Sequence, residues 1–214
     1  MFKEKIVKVL LINGSANVRG CTYTALAQIE QTLNLEGVET EIISLGNKPI
    51  RDCMGCQTCR KNGGKCIFED DIINEVVEKA KTADGFVFGS PVYYAHPSGR
   101  LLSAMDRMFY SGGSAFKFKP ATAIVSARRA GTTASIDAIS KHFTINCMPI
   151  VSSNYWNMVH GNTPEEVLQD KEGLQIMRIL GKNMAWLLKC IEAGKASGIN
   201  RPELEDKIHT NFIR

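Results

Sequence analysis

Four cysteines stand within fourteen residues of chain, Cys53, Cys56, Cys59 and Cys66, with the spacing C-x2-C-x2-C-x6-C. Thiolates are soft donors, and this density of them points to a metal or a cluster more than to structural thiols. Bacterial ferredoxin runs share the first spacings, but their fourth cysteine comes sooner and Pro follows it, whereas Ile67 follows Cys66 here. Zinc ribbons set two C-x2-C pairs further apart, so zinc fits less well. An unligated loop hinged at Gly63-Gly64 is the alternative. Cys147 and Cys190 lie in apolar stretches and are expected as buried thiols.

A second candidate is the segment Asn13-Gly14-Ser15-Ala16-Asn17-Val18-Arg19-Gly20-Cys21-Thr22-Tyr23, rich in hydroxyls and glycines and opening into a helical pattern. A helix N-terminus presents unpaired N–H groups and the positive end of a dipole, which together suit a phosphate. No Lys follows Gly20 and no G-x-G-x-x-G is present, so neither an ATPase loop nor a dinucleotide fingerprint fits. A phosphate monoester held by Ser15, Thr22 and backbone amides is what remains. Taken alone, an ordinary strand-to-helix turn explains the loop equally well. A third segment, Ser90-Pro91-Val92-Tyr93-Tyr94-Ala95-His96-Pro97, has prolines that stiffen its backbone and two aromatics that offer flat faces. Core packing is the plainer alternative for either tyrosine by itself.

These segments need a frame that brings them together. Residues 6–12 form an apolar run that reads as a strand buried on both faces, followed by a helix over 22–35 with Leu26, Ile29 and Leu33 on one side. A second strand is expected over 38–45. Asp70 or Asp71 can cap a helix facing inward through Ile73, Val76, Val77 and Ala80. A third strand covers 85–89, and Pro97 suits the first turn of a helix carrying Leu101, Met105 and Met108. Strand four is expected over 121–126, a helix over 132–143, a short fifth strand over 148–152, and a long final helix with Leu174, Met177, Leu180, Met184, Leu187 and Ile191 inward. Strands alternating with helices imply a parallel sheet covered on both faces, whose ligand sits beyond the carboxyl ends of the strands.

The domain expected over 1–194 carries the cysteine-rich insert at 52–69, and 195–214 is either a loose tail or an arm on a neighbouring subunit. A formal charge of +4, with Lys and Arg scattered, argues against a nucleic-acid footprint. No apolar run reaches membrane-spanning length, and the charged residues 1–5 lead into no cleavage site, so neither a membrane nor a secretory route is expected. The seven cysteines then point to a reducing, cytoplasmic setting. The segment Tyr155-Trp156-Asn157-Met158-Val159-His160-Gly161 could wall a pocket or form a subunit contact. His160 is given no proton-transfer role.

Together, Gly14-Ser15, Gly20-Cys21-Thr22, Gly89-Ser90-Pro91-Val92-Tyr93-Tyr94 and Met105-Asp106-Arg107 resemble the NADPH-dependent FMN reductase and iron-sulfur flavoprotein group, over strand one to about residue 161. The resemblance implies a flavodoxin-like, doubly wound five-stranded parallel sheet of order 2-1-3-4-5. It implies FMN with its phosphate among Ser15, Asn17, Cys21 and Thr22, beside Tyr23, and its ring along Pro91, Val92, Tyr93 and Tyr94. The loop from Ser126 through Arg128, Arg129 and Gly131 would close over the pyrimidine edge, where a guanidinium stabilises the negative charge of reduced flavin. Where the group often has Pro-Arg after the first Ser and Asn before Thr, this chain has Ala16-Asn17 and Cys21. The cysteine motif is similar to that holding a 4Fe-4S cluster in iron-sulfur flavoproteins. The expected activity is hydride transfer from NAD(P)H to FMN, then electron transfer to a quinone, free flavin or iron-sulfur protein, in a homodimer or homotetramer. The alternative is an electron carrier or flavin-binding regulatory module that nicotinamide does not reduce.

Overall fold

The computed structural model describes residues 6–210 and 212. Residues 1–5, 211, 213 and 214 lie outside it, and with them the N-terminal charged run and Ile213 of the tail. The chain runs β1 (Lys8–Asn13), α1 (Cys21–Leu35), β2 (Glu39–Ser44), a single 3-10 turn at Thr58–Arg60, α2 (Ile73–Thr82) and β3 (Gly85–Tyr93). It continues through β4 (His96–Pro97), α3 (Gly99–Phe116), β5 (Ala121–Ala127), α4 (Thr132–Ile145), β6 (Met158–His160), α5 (Pro164–Gln169) and α6 (Lys171–Ala196).

The parallel path of the sheet is β2-β1-β3-β5-β6, with β4 paired antiparallel to the end of β3. Once that two-residue hairpin strand is set aside, this is the expected order. The alternation of side chains explains why both faces are covered. Leu10, Ile12, Phe86, Phe88 and Val125 pack with α2, α3 and α4 on one face, while Val9, Leu11, Val87 and Ile124 pack with α1 and α6 on the other. The inward faces expected for α1, α2 and α3 are all buried.

Several expected boundaries move, each for a physical reason. The segment at 148–152 is no strand. Pro149 has no N–H to give to a ladder, and the segment makes one bridge, Ile150 to Ala121. The edge position falls to β6, where Met158, Val159 and His160 pair with Val125, Ser126 and Ala127. Pro97 belongs to β4 and not to a helix, because Val92 pairs with Pro97 and Tyr93 with His96. Ser98 then caps α3 by accepting from the Leu101 amide. Ile72 takes the N-cap position of α2, although Asp71 still accepts from Ile73 N at 3.1 Å. In α6 the buried stripe passes through Leu188, leaving Leu187 and Ile191 half-buried, and the helix runs on through Lys195 and Ala196. Cys147 and Cys190 are exposed, contrary to the expectation. Cys147 sits in the left-handed region just past α4, and Cys190 lies next to Lys189 on the outward side of α6.

Candidate functional site

Three connections meet beyond the carboxyl ends of β1, β3 and β5. Gly14 N donates to Gly89 O at 2.8 Å, Ser98 Oγ donates to Gly14 O at 2.9 Å, and Ser98 N donates to Ser90 Oγ at 2.9 Å. A Cβ at Gly14 would stand 2.8 Å from that same Gly89 oxygen, so the close approach requires glycine. Ser15 N donates to Asn13 Oδ1, Asn17 N to Ser15 Oγ and Arg19 N to Asn17 Oδ1, a relay of side-chain-to-backbone bonds that sets the loop into α1. Among the described residues no side chain caps α1, and its first turn carries no acidic residue. The first N–H groups of this 15-residue helix have no intrahelical acceptor, although the charges of Glu166 and Glu165 reach Cys21 at its start. That is a fit for a phosphate.

At this helix start the side chains of Thr22 and Cys21 have protein partners. The Thr22 hydroxyl is buried and shares a 2.8 Å hydrogen bond with Ser126, which ties the first loop to the end of β5. Cys21 turns toward the opposite side and donates its thiol to Gly161 O at 3.7 Å. Burial pushes that thiol's pKa up, which keeps it protonated at neutral pH. Tyr23 lies under Arg19, whose guanidinium stands 4.3 Å from the ring centroid and also bonds the phenol. Ser15 is the remaining buried hydroxyl in the loop, and Asn17 occupies its exposed turn.

Pro91, Val92 and Tyr93 belong to the extended end of β3 and not to a loop. The hairpin turns at Tyr94 and Ala95, both in the left-handed region with φ of 51 and 58, where glycine or asparagine is the usual choice. This turn presents Tyr93 at 56% exposure and leaves Tyr94 fully exposed, so neither is a core residue. Gly131, at φ 90, lies so close that an added Cβ would meet Ala95 Cα at 2.4 Å. The loop after β5 is therefore seated on the hairpin tip, with Arg128 and Arg129 exposed beside it. His160 Nε2 donates to Arg129 O at 3.1 Å and its backbone N–H donates to Asp170 Oδ2 at 2.7 Å, anchoring that loop to β6 and α6.

Cys53, Cys56, Cys59 and Cys66 line one pocket of about 20 Å³, packed against the middle of α3 through Arg107, Tyr110 and Ser111. Among the described residues no three of His, Cys, Asp and Glu converge as a metal group, so the four thiols share a pocket without meeting at one point. The loop that carries the first three bends through the left-handed region at Gly55, Gln57, Gly63 and Gly64. Cys59 donates to Tyr110 O at 3.7 Å, and the Thr58 hydroxyl and amide draw the exposed Cys56 thiol below its usual pKa. Cys66 is fixed more firmly. Asn74 accepts from Cys66 N at 2.9 Å and donates to Cys66 O at 3.0 Å, while Arg107 Nε donates to the sulfur at 3.3 Å. Burial works against the Arg107 charge, but its ion pair with Asp71 and the Cys66 sulfur outweigh it and raise its pKa. The donor set, four thiols with a cation and no carboxylate in the pocket wall, suits an anionic iron-sulfur cluster. Sequence reasoning placed none of Arg107, Asp71 and Asn74 at this pocket: Asp71 was expected only as a helix cap, and Arg107 only as part of the Met105-Asp106-Arg107 motif. The available signal was a charge three residues beyond Ala104 on the apolar face of α3.

A parallel sheet of this order with a phosphate-ready helix start after β1 defines the flavodoxin-like class. RosB, solved with 8-demethyl-8-formylriboflavin-5'-phosphate, superposes with a TM-score of 0.68 at 14% identity, covering 97% of this chain and 94% of its own. A flavodoxin from the domain Archaea gives 0.59 at 14% identity, covering 86% of this chain and 99% of its own. At such identities the likeness concerns the fold. In sequence, residues 7–163 match the NADPH-dependent FMN reductase family, and the chain belongs to that family. It is also 34% identical over 194 residues to an iron-sulfur flavoprotein of Methanocaldococcus jannaschii, covering 87% of this chain and 100% of that one. The protein is thus a flavin-binding oxidoreductase.

Proposed function

We propose that the chain is an NAD(P)H-dependent FMN oxidoreductase that passes electrons to a second acceptor. One observation carries the reading: the uncapped start of α1 lies in the same loop cluster as an exposed aromatic hairpin. The N–H groups of residues 21–23, with Ser15 and Asn17 next to them, hold the FMN phosphate, and the Cys21 and Thr22 side chains hold the loop itself. Pro91, Val92 and Tyr93 line the flavin ring, and Tyr94 remains free to stack on a nicotinamide or an acceptor. Arg128 or Arg129 supplies positive charge at the pyrimidine edge, and Gly131 lets that loop approach the hairpin. Bound FMN supplies the acceptance of a hydride and the onward release of electrons, so no side-chain acid or base is required.

The thiols of Cys53, Cys56, Cys59 and Cys66 would hold one 4Fe-4S cluster, which would supply one-electron transfer to an acceptor. The shared pocket and the iron-sulfur flavoprotein relative support this part of the proposal. All seven cysteines are free, which supports a reducing compartment such as the cytoplasm. A homodimer or homotetramer would cover Trp186, Leu204 and Ile208, which are exposed in the isolated chain. Scattered charge argues against a nucleic-acid partner.

Anaerobic titration of the purified yellow protein with NADPH and NADH tests the function, alongside mass analysis of heat-released cofactor. The expected outcome is FMN in near-stoichiometric amount, bleached by at least one nicotinamide. Flavin that binds but is not bleached assigns the protein to the carrier class. FAD, or no flavin, overturns the proposal.

A further inference from the structure

We infer that Arg107 is the positioning residue for the Cys66 ligand, holding its sulfur in place and raising the reduction potential of the cluster through an N–H···S hydrogen bond. The inference rests on the proposal that the four cysteines hold a cluster. Its geometric basis is the unequal treatment of the four thiols. Three stand on a loop bent repeatedly through left-handed positions, whereas Cys66 is clamped at its amide and its carbonyl by Asn74 and at its sulfur by Arg107.

Arg107 has little freedom to do anything else. Its side chain is 1% exposed, inside a protein where a lone buried guanidinium is costly, and every donor group is directed. Nη1 pairs with Asp71 and reaches Arg51 O at 3.4 Å; Nη2 donates to Phe68 O at 3.2 Å and to Asp71 Oδ1 at 3.2 Å. Nε is left for Cys66. The Phe68 ring packs beside the guanidinium, 5.2 Å from centroid to Cζ. The planar fork thus fixes three chain segments at once, and its remaining N–H points at a ligand sulfur.

Hydrogen bonds to cluster sulfurs, and positive charge nearby, stabilise the reduced and more negative state and so raise the potential. A residue that served only to hold the fold would leave the potential of an assembled cluster unmoved. This separates the two roles.

The test uses the full-length protein, purified and reconstituted anaerobically, as wild type, Arg107→Lys and the double variant Arg107→Met with Asp71→Leu. The double variant removes the bond without leaving an orphan buried carboxylate, a replacement that is often tolerated. Iron and sulfide content, the midpoint potential of the cluster and that of the flavin are measured on each. The expected result is a more negative cluster midpoint in the double variant, a smaller shift in Arg107→Lys, and an unchanged flavin midpoint. A fully loaded double variant with the wild-type cluster midpoint overturns the inference about Arg107 while the cluster reading stands. Wild type that takes up no iron overturns both. Should the double variant fail to fold or load, pulsed electron paramagnetic resonance of reduced wild type labelled with 15N-arginine decides. A resolved arginine-nitrogen coupling supports the inference, and its absence overturns it.

Discussion

The two candidate centres are built by opposite means. Around the carboxyl ends of the strands, loops, strand ends and helix starts are joined to one another: Gly14 to Gly89, Ser98 to Gly14 and Ser90, Thr22 to Ser126, Gly131 to Ala95. Geometry there is set by backbone close approach and buried hydroxyls before any ligand arrives. The cysteine segment is held most firmly at Cys66, while Cys59 makes one long bond to Tyr110 O and the thiols of Cys53 and Cys56 ride on a glycine-rich loop. Pre-organisation suits a cofactor that binds as a finished molecule, since affinity is not spent on ordering the loops. A centre assembled from metal and sulfide instead needs ligands that can close around it. The two centres also lie apart: Arg107 is nine residues beyond Ser98, roughly 14 Å along α3 at the usual rise per residue. The segment that follows β2 therefore reaches α3 well past the strand ends, deeper along the helix layer than its position after a strand implied.

The comparison is tested most severely at Asp71. If the loosely built segment is truly secured by the Arg107 pair, Asp71→Ala strands a buried guanidinium and costs about 3–5 kcal/mol of stability. Urea unfolding of the flavin-free protein measures it. A cost under about 1 kcal/mol would mean that the segment is not anchored there.

Gly131→Ala probes the other centre. The added methyl meets Ala95 Cα within contact distance, at a position whose φ of 90 disfavours any side chain. The expected cost is about 1–3 kcal/mol, as for other overpacked sites, with a flavin dissociation constant raised at least tenfold and iron uptake unaffected. Equal loss of flavin and iron would show the two centres to be one structural unit.

What could be read from sequence follows the same division. The sheet order, the inward faces of α1, α2 and α3 and the meeting of the connections beyond the strand ends were legible because apolar periodicity and strand-end logic report on them directly. The edge strand was not. Segments 148–152 and 158–160 are both short and apolar, and the choice between them turns on which N–H groups meet β5, a tertiary matter that Pro149 only hints at. The hairpin turn escaped notice because Tyr94-Ala95 lacks the usual glycine or asparagine. Thr22 lies in the first turn of α1, and no local pattern says that its hydroxyl is taken up by Ser126, 104 residues away. Spacing identified the four cysteines as a group and could not reveal that Cys66 is clamped at three atoms while Cys59 makes a single long bond.

The smallest effect is expected where neither centre is involved, at Glu41 on β2, which supplies the reference for both. Lys79 Nζ lies 2.5 Å and Lys8 Nζ 3.0 Å from its carboxylate. The Lys79 hydrogen bond, ahead of the opposing burial and the Lys8 bond, holds the Glu41 pKa below the ordinary glutamate value. A carboxyl with a depressed folded pKa contributes stability that is complete above its unfolded value, about 4.3, and is lost as pH falls through the folded one. Both lysines are shifted upward, chiefly by hydrogen bonding to the same Glu41. Their share is complete below the unfolded lysine value near 10.4 and is lost as pH rises through the folded one. Glu41→Gln should therefore be less stable than wild type across neutral pH, by at most about 1 kcal/mol because the three side chains remain partly solvated. The gap should close below about pH 4 and again above about pH 10.5, and should shrink in 1 M salt. Thermal melts over that pH range, with and without bound flavin, measure it. Since the ion pairs of Glu41 run to Lys8 and Lys79, away from the Ser44–Asn13 bond by which β2 meets the first loop, the two profiles should differ by a constant. A pH-dependent difference would place Glu41 in communication with the flavin loops and remove it as the reference.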